Sequence, residues 1–427
     1  MTRVDTISRQ DAMSASNAAR DPRLIERAAR PIVLRQLDRL KQGEVILSEN
    51  GSSQSLGQQD HPSKANLTVK NPAIFAKSLL GGGLGFAESY IDGDWTTDNL
   101  TELLQIFVRN ISVAHQHDRG IARLRAPLLR LGGFMKRNTK LGSRKNIAAH
   151  YDLGNEFFRL WLDDTMTYSS GIFLSEQSTM RDASIEKLDR ICRALRLTPE
   201  DHVLETGTGW GSFAIHAAST YGCRVTTTTI SKRQHEIAKQ RVEAAGLSDR
   251  VTLLLKDYRD LEGAYDKLVS IEMIEAVGHN YLDTYLGACS RLLKPDGQMM
   301  LQVISMPDQR YKQYLRTSDF IRTHVFPGSC CPSLGALSAS IARSTDMRCV
   351  RYEDITGHYA RTLHRWHERF NEQIDAVREL GYPDRFIRLW DYYLSYCEAG
   401  FAERYIGVGQ MLLNKPGCRA SVIGGDS

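Results

Sequence analysis

The 427-residue sequence predicts an α/β fold: a doubly wound parallel sheet with helical additions, preceded by a small mixed α+β N-terminal domain. Three observations predict it. Between about 185 and 305, strand-like runs ("DHVLETG", "CRVTTTTI", "VTLLLKDY", "DKLVSIE", "GQMMLQVI") alternate with helical ones ("SFAIHAAST", "KRQHEIAKQRVEAAG", "YLDTYLGACSRLL"). Strands alternating with helices imply a parallel sheet covered on both faces. Ahead of this region, "NLTVKNPAIFAKSLLGGGLGFAESYIDGDW" mixes a short strand, a helix and a glycine-dense turn; after it, from about 310 to 410, aromatic-rich helical segments dominate.

Taken in order, residues 1–25 read as a polar, poorly ordered tail without the apolar stretch of a secretory signal, and Pro31 to Val45 as an amphipathic helix. Asn50–Lys64 is polar and turn-rich. Residues 26–115 therefore form the small N-terminal module, 116–145 a connector, and 146–415 the main domain, with 310–410 as its helical cap. Hydrophobic content of 42% with 25% charged residues is ordinary globular usage, and no apolar run is long enough to span a bilayer. The eight cysteines show no metal-ligand spacing, so neither a disulfide framework nor a metal site is indicated. A cytoplasmic address follows as the expectation.

The net charge of +5 is unevenly placed. From Arg119 to Lys145 there are nine basic residues and no acid, interleaved with Leu124, Leu128, Leu129, Leu131 and Phe134. Such a stretch suits an anionic surface, phospholipid or nucleic acid; a solvated connector is the plainer alternative.

"VLETGTGWGS" sets Glu205, Gly207, Gly209 and Gly211 directly after an apolar strand and before a helix. Glycines there permit a tight turn and let the backbone approach a ligand at the carboxyl end of the sheet. The GxGxG spacing is that of a Rossmann-like class I methyltransferase rather than of a dehydrogenase, and no ribose-binding acid follows at the next strand end, "VTTTTIS". Taken alone, the loop is weak evidence, a packing turn being the lesser alternative.

"NIAAHYDLGNEFFRLWLDDTMTYSS", "VLETGTGWGS", "TISKRQ", "MIEAVGHNYLDTY" and "FPGSCCPS" together resemble the cyclopropane fatty acid synthase family, which includes the mycolic acid cyclopropane synthases. "LGFAESYIDGDW" resembles the N-terminal module of its phospholipid-modifying members, and the likeness covers roughly 65–410. It implies S-adenosylmethionine as methyl donor. Tyr151, Tyr168 and Ser169 would close over its methionine end, with Glu205, Gly207 and Gly209 beneath; Thr229, Ser231 and Gln234 would lie near ribose and adenine, and Asp257 and Tyr258 at the adenine edge.

The resemblance also implies a bound bicarbonate that removes a proton from the delivered methyl group, held at Glu275, Tyr359, the backbone near Ile304, Ser170 and Gln302. The last two depart from the family pattern. Ser170 stands where cysteine is common and Gln302 where histidine is common. Both still donate hydrogen bonds, but Gln302 cannot carry charge or shuttle a proton. Glu272, three residues before Glu275, has no family counterpart and reads as a cofactor-side or capping carboxylate; His279 and His358 read as surface or packing residues.

The function so implied is transfer of a methyl carbon to the cis double bond of unsaturated phospholipid acyl chains, forming cyclopropane fatty acids through a carbocation. A methyl-branched or methylated unsaturated chain is the alternative product, and a non-catalytic lipid-binding relative a distant one. The implied partners are an anionic membrane surface at the inner face, met peripherally, and a second copy in a homodimer. The aromatics Trp366, Phe370, Trp390, Tyr392 and Tyr393 could roof an apolar tunnel or simply pack a core. Nucleic acid is disfavoured, since the strand end that base-modifying methyltransferases use to hold a flipped base is absent.

Overall fold

In a computed structural model, residues 22–111 and 153–420 are described. Tyr151 and the basic stretch at 119–145 lie outside them. The described residues divide into two compact units, 22–111 with 382–396, and 153–381 with 397–420.

The first unit runs α1 (Leu24–Leu37), β1 (Glu44–Glu49), β2 (Ser52–Gly57), β3 (Lys64–Val69), α2 (Ala73–Ile91), β4 (Trp95–Thr96) and α3 (Leu100–Arg109), with a sheet of order β2-β1-β3-β4. Three local expectations are corrected. The first helix starts seven residues before Pro31 and carries that proline inside it, capped by Glu26 accepting the Arg23 N–H at 2.8 Å. The polar run after Asn50 pairs with β1 as an antiparallel strand, Ser55 opposite Ile46. The glycine-dense stretch is no turn between elements but part of α2, bent at Gly82, where φ is 56°. Residues 382–396 join this unit because Asp391 accepts the Tyr90 hydroxyl and Arg388 Nε donates to the carbonyl of Ile91 at 2.9 Å.

The second unit runs α4 (Asn155–Trp161), α5 (Met180–Leu195), β5 (His202–Thr206), α6 (Ser212–Tyr221), β6 (Arg224–Thr228), α7 (Lys232–Ala244), β7 (Val251–Leu254), β8 (Tyr265–Ile271), α8 (Leu282–Leu292) and β9 (Leu293–Ser305). It continues with α9 (Asp308–Arg316), α10 (Leu334–Ser344), β10 (Arg348–Asp354), α11 (Thr356–Glu372), α12 (Ile374–Glu379), α13 (Asp384–Ala402, shared with the first unit) and β11 (Gly407–Asn414). The seven strands take the order β10-β11-β9-β8-β5-β6-β7. Strands β5 to β9 are mutually parallel where they pair, while β11 is antiparallel to both β9 and β10. The sheet is thus mostly parallel, with an antiparallel pair inside the stretch expected to be helical.

Successive side chains on a strand face opposite sides, and here the two sides build two cores. Leu204, Leu268, Met299, Leu301, Val303, Met411 and Leu413 pack with α8 and α10; Val203, Val269, Met300 and Leu412 pack with α5 and α6. Strand order reverses beside β5, whose neighbours are β6 and β8, and a ligand crevice belongs at the carboxyl ends of strands at such a switch point.

Candidate functional site

At the end of β5 the chain turns through Gly207 (φ 98°), Gly209 (φ 53°) and Gly211 (φ 89°) into α6. The Gly207 and Thr208 N–H groups both donate to the carbonyl of Thr228, at 3.0 and 3.1 Å, which ties the loop to the end of β6. A side chain at Gly207 would stand 3.1 Å from the Met273 side chain, whereas nothing lies within 4 Å of the same point at Gly209. The loop is therefore braced on one side and open where a ligand would rest, and the residues present fit S-adenosylmethionine. Glu205 is buried and accepts the Thr227 hydroxyl at 2.6 Å; burial pushes its carboxyl up to about 8.

Thr229 and Gln234 bond each other at 3.1 Å, and Ser231 caps α7 by accepting the Gln234 N–H at 3.3 Å. Asp257 is tied to its neighbour, its two oxygens taking the Arg259 guanidinium at 2.7 Å each. Tyr258 packs edge-to-face on Tyr285 at 5.0 Å. Tyr168 stands in an aromatic cluster, 5.4 Å from Trp161, 5.4 Å from Trp366 and 5.5 Å from Phe158 between ring centres. Such a wall suits a sulfonium, because ring faces attract cations. Ser169 accepts a hydrogen bond at 2.9 Å from Lys187, a lysine that is only 1% exposed.

The carboxyl end of β8 carries two glutamates, Glu272 and Glu275. Glu272 N–H still donates to the Gln302 carbonyl at 2.9 Å, extending the ladder to β9, but the residue takes φ 48°, a left-handed conformation that ends the strand. Its carboxylate is gripped by three donors from three separate segments: Oε1 accepts the Ser170 N–H at 2.9 Å and Gln302 Nε2 at 2.8 Å, and Oε2 accepts the Tyr359 hydroxyl at 2.8 Å. Gln302 is itself fixed, since its Oε1 accepts Gln410 Nε2 at 3.0 Å. Glu275 Oε1 accepts the Ile304 N–H at 2.5 Å, while its Oε2 is buried without a partner.

Burial first, and the neighbouring Glu272 second, push the Glu275 carboxyl up to about 8. Burial also raises Glu272, against the three donors and Lys187, which favour its charged form. Lys187 falls to about 8 because burial outweighs the pull of Glu272 and Glu205.

Ser170, Gln302 and Tyr359 thus converge on Glu272 and Ile304 meets Glu275, so the donors among them are already engaged by two protein carboxylates. The Ser170 hydroxyl is also spent, donating to the Gly171 carbonyl at 3.0 Å. A bicarbonate does not fit this arrangement. The two histidines are likewise engaged: His279 pairs with the Tyr311 hydroxyl at 2.8 Å, and His358 Nδ1 accepts the Phe173 N–H at 3.2 Å.

Sequence reasoning passed over three site residues. Glu272 reads from sequence as a cofactor-side or capping carboxylate, and Gln410 lies at the end of a stretch that reads as helical. Lys187 had a signal: it sits at helical spacing in the buried stripe Met180, Ala183, Ser184, Leu188, Ile191 of α5, where a lysine is out of place unless it has work there.

Residues 138–411 match the family model described as mycolic acid cyclopropane synthetase. The tuberculostearic acid methyltransferase UfaA1 of Mycobacterium tuberculosis is 35% identical over 95% of this chain and 93% of its own length. The cyclopropane-fatty-acyl-phospholipid synthase of Escherichia coli is 35% identical over 82% of this chain and 88% of its own. Among solved structures, the mycolic acid cyclopropane synthase CmaA1 complexed with SAH and CTAB superposes with a TM-score of 0.60 at 30% identity, covering 64% of this chain and 98% of that one.

Proposed function

From the premise that the chain belongs to the mycolic acid cyclopropane synthetase family and is an S-adenosylmethionine-dependent lipid methyltransferase, we infer that it acts on the cis double bond of unsaturated phospholipid acyl chains. The single observation that supports this most is the pair Glu272 and Glu275 at the end of β8, with Tyr359 bonded to the first and its ring 6.1 Å from Trp366 of the aromatic cluster. A π bond is a weak nucleophile, and the cation it leaves is quenched by water, so the reaction needs a dry aromatic wall beside a proton acceptor.

The bound donor supplies a methyl group on a positively charged sulphur. The chain's own residues orient it over the glycine loop, exclude water with the Phe158, Trp161, Tyr168 and Trp366 rings, and receive the proton that leaves the delivered methyl carbon. Loss of that proton with bond closure onto the cationic carbon gives a cyclopropane. A second reading, a methylated unsaturated chain, follows if a hydride shifts to the cation first and the methyl carbon then loses its proton to form a double bond, a saturated methyl branch requiring reduction of that product by a separate hydride donor. Gln302 and Ser170 in place of histidine and cysteine favour this reading, as does the extent of likeness to the tuberculostearic acid methyltransferase.

The acyl chain lies in a bilayer, so the reading includes peripheral docking on the inner face of the membrane, with the basic stretch at 119–145 contributing about 1 kcal/mol per residue near an anionic surface. Among the described residues no helix is long and apolar enough to cross a membrane. The N-terminal module is assigned to lipid engagement and homodimer formation.

Lipid profiling of a host expressing the intact protein tests the reading. A gain of one CH2 per acyl chain with an upfield cyclopropane proton signal supports ring closure. The same gain without that signal supports the second reading, and no gain in any lipid overturns both.

A further inference from the structure

Resting on that reading, we propose that the Glu272 carboxylate is the built-in anion of this site and takes the proton that leaves the delivered methyl carbon, so that the enzyme needs no external bicarbonate. Three donors from distant parts of the chain converge on it: the Ser170 N–H, Gln302 Nε2 and the Tyr359 hydroxyl. Those are groups that would otherwise hold a small oxyanion, and a glutamate side chain carries the same two-oxygen head on a covalent tether. The grip is built, not incidental. Ser170 and Gln302 are 0% exposed, and Gln410 holds the Gln302 amide with its NH2 toward Glu272. Glu275, with one oxygen on the Ile304 N–H and the other unpartnered, is the second carboxyl of the pair; burial first and the charge of Glu272 second favour its protonated form, while the three donors favour the charged form of Glu272.

The step balances. The alkene π electrons form the new C–C bond as the S–CH3 bond breaks, leaving a cation on the adjacent carbon. A C–H pair of the new methyl closes onto that carbon, or forms a double bond after a hydride shift, and the proton passes to Glu272 Oε. Once product leaves, the carboxylic acid returns its proton to water.

The backbone supplies the test. At φ 48° Glu272 occupies a conformation that glycine adopts without cost, so Glu272→Gly removes the carboxylate, relieves strain and opens the cradle. Full-length protein is assayed on vesicles of monounsaturated phosphatidylglycerol, in buffer purged of carbon dioxide and with added bicarbonate, alongside calorimetry with S-adenosylmethionine and with bicarbonate. Wild type is expected to turn over equally in both buffers and to show no saturable bicarbonate binding. Glu272→Gly is expected to bind the donor as wild type does, to lose about 100-fold or more in rate, and to recover saturably with bicarbonate, which it now binds. A wild-type rate that collapses on purging and returns with bicarbonate overturns the proposal, and needs no variant to fold. A Glu272→Gln variant within about twofold of wild type also overturns it. Wild type that binds the donor but modifies no lipid fails the functional reading instead.

Discussion

Tyr359 on α11 hands its phenolic hydrogen to Oε2 of Glu272 at 2.8 Å, across 87 positions of sequence. The bond favours the charged form of a carboxylate that burial pushes the other way. In Tyr359→Phe the ring still packs on Phe401, 4.3 Å away, but the donor is gone. A hydrogen bond to a charged group is worth about 1.5–3 kcal/mol, so the variant should lose about that much unfolding free energy and unfold at a lower denaturant midpoint. Its turnover should fall while its dissociation constant for S-adenosylmethionine stays unchanged.

Gly207→Ala tests the cofactor loop. The left-handed φ of 98° is costly for any residue with a Cβ, and the added methyl would press on Met273 at 3.1 Å. Relief requires Met273 to move, and Met273 lies between the end of β8 and Glu275. Calorimetry should show affinity for S-adenosylmethionine at least about tenfold weaker, since a shift of about 1.4 kcal/mol in the loop suffices for that.

The buried carboxyls set the pH dependence of stability. Glu275 and Glu205 are both raised from 4.5 to about 8 by burial, so between those values the folded state holds protons that the unfolded state has released. Stability from these groups is full below about pH 4.5 and is lost as pH rises through about 8. Lys187 works oppositely at higher pH: lowered from 10.5 to about 8, it has lost its proton in the folded state while the unfolded chain keeps it, so its contribution improves from about 8 to 10.5. Thermal melts of Glu275→Gln should decline less steeply than those of wild type between about pH 5 and 8. A wild-type melting temperature that climbs across that window would contradict the burial of these carboxyls.

The sheet was legible because buried strands announce themselves as apolar runs, and Val203–Leu204, Leu268–Val269 and Met299–Val303 fill both cores. The glycine loop was legible through its GxGxG spacing. The antiparallel pair β10 and β11 was not, since "RCVRYED" is largely polar and "GVGQMLLN" follows an aromatic helix without a break strong enough to end a helical reading. The role of Glu272 was hidden for a different reason. Its partners lie 102, 30 and 87 positions away, and the left-handed turn that aims it is invisible in a residue type that ordinarily avoids such backbone.

Gln410 carries the last prediction. On β11 it stands directly opposite Gln302 on β9, and its Nε2 holds Gln302 Oε1 at 3.0 Å, which leaves the Gln302 NH2 to face Glu272. Replacing it with leucine frees the amide to turn, and a turned amide sets a carbonyl oxygen against the carboxylate. Losing that donor raises the Glu272 pKa, so its base form appears only at higher pH. Gln410→Leu should therefore shift the acid limb of the kcat profile upward and lower kcat at neutral pH, while KM for S-adenosylmethionine is unmoved. Stability should drop by about 1–3 kcal/mol from the buried oxygen left without its partner. A variant that loses stability with an unshifted pH profile would show Gln410 to be a packing residue alone.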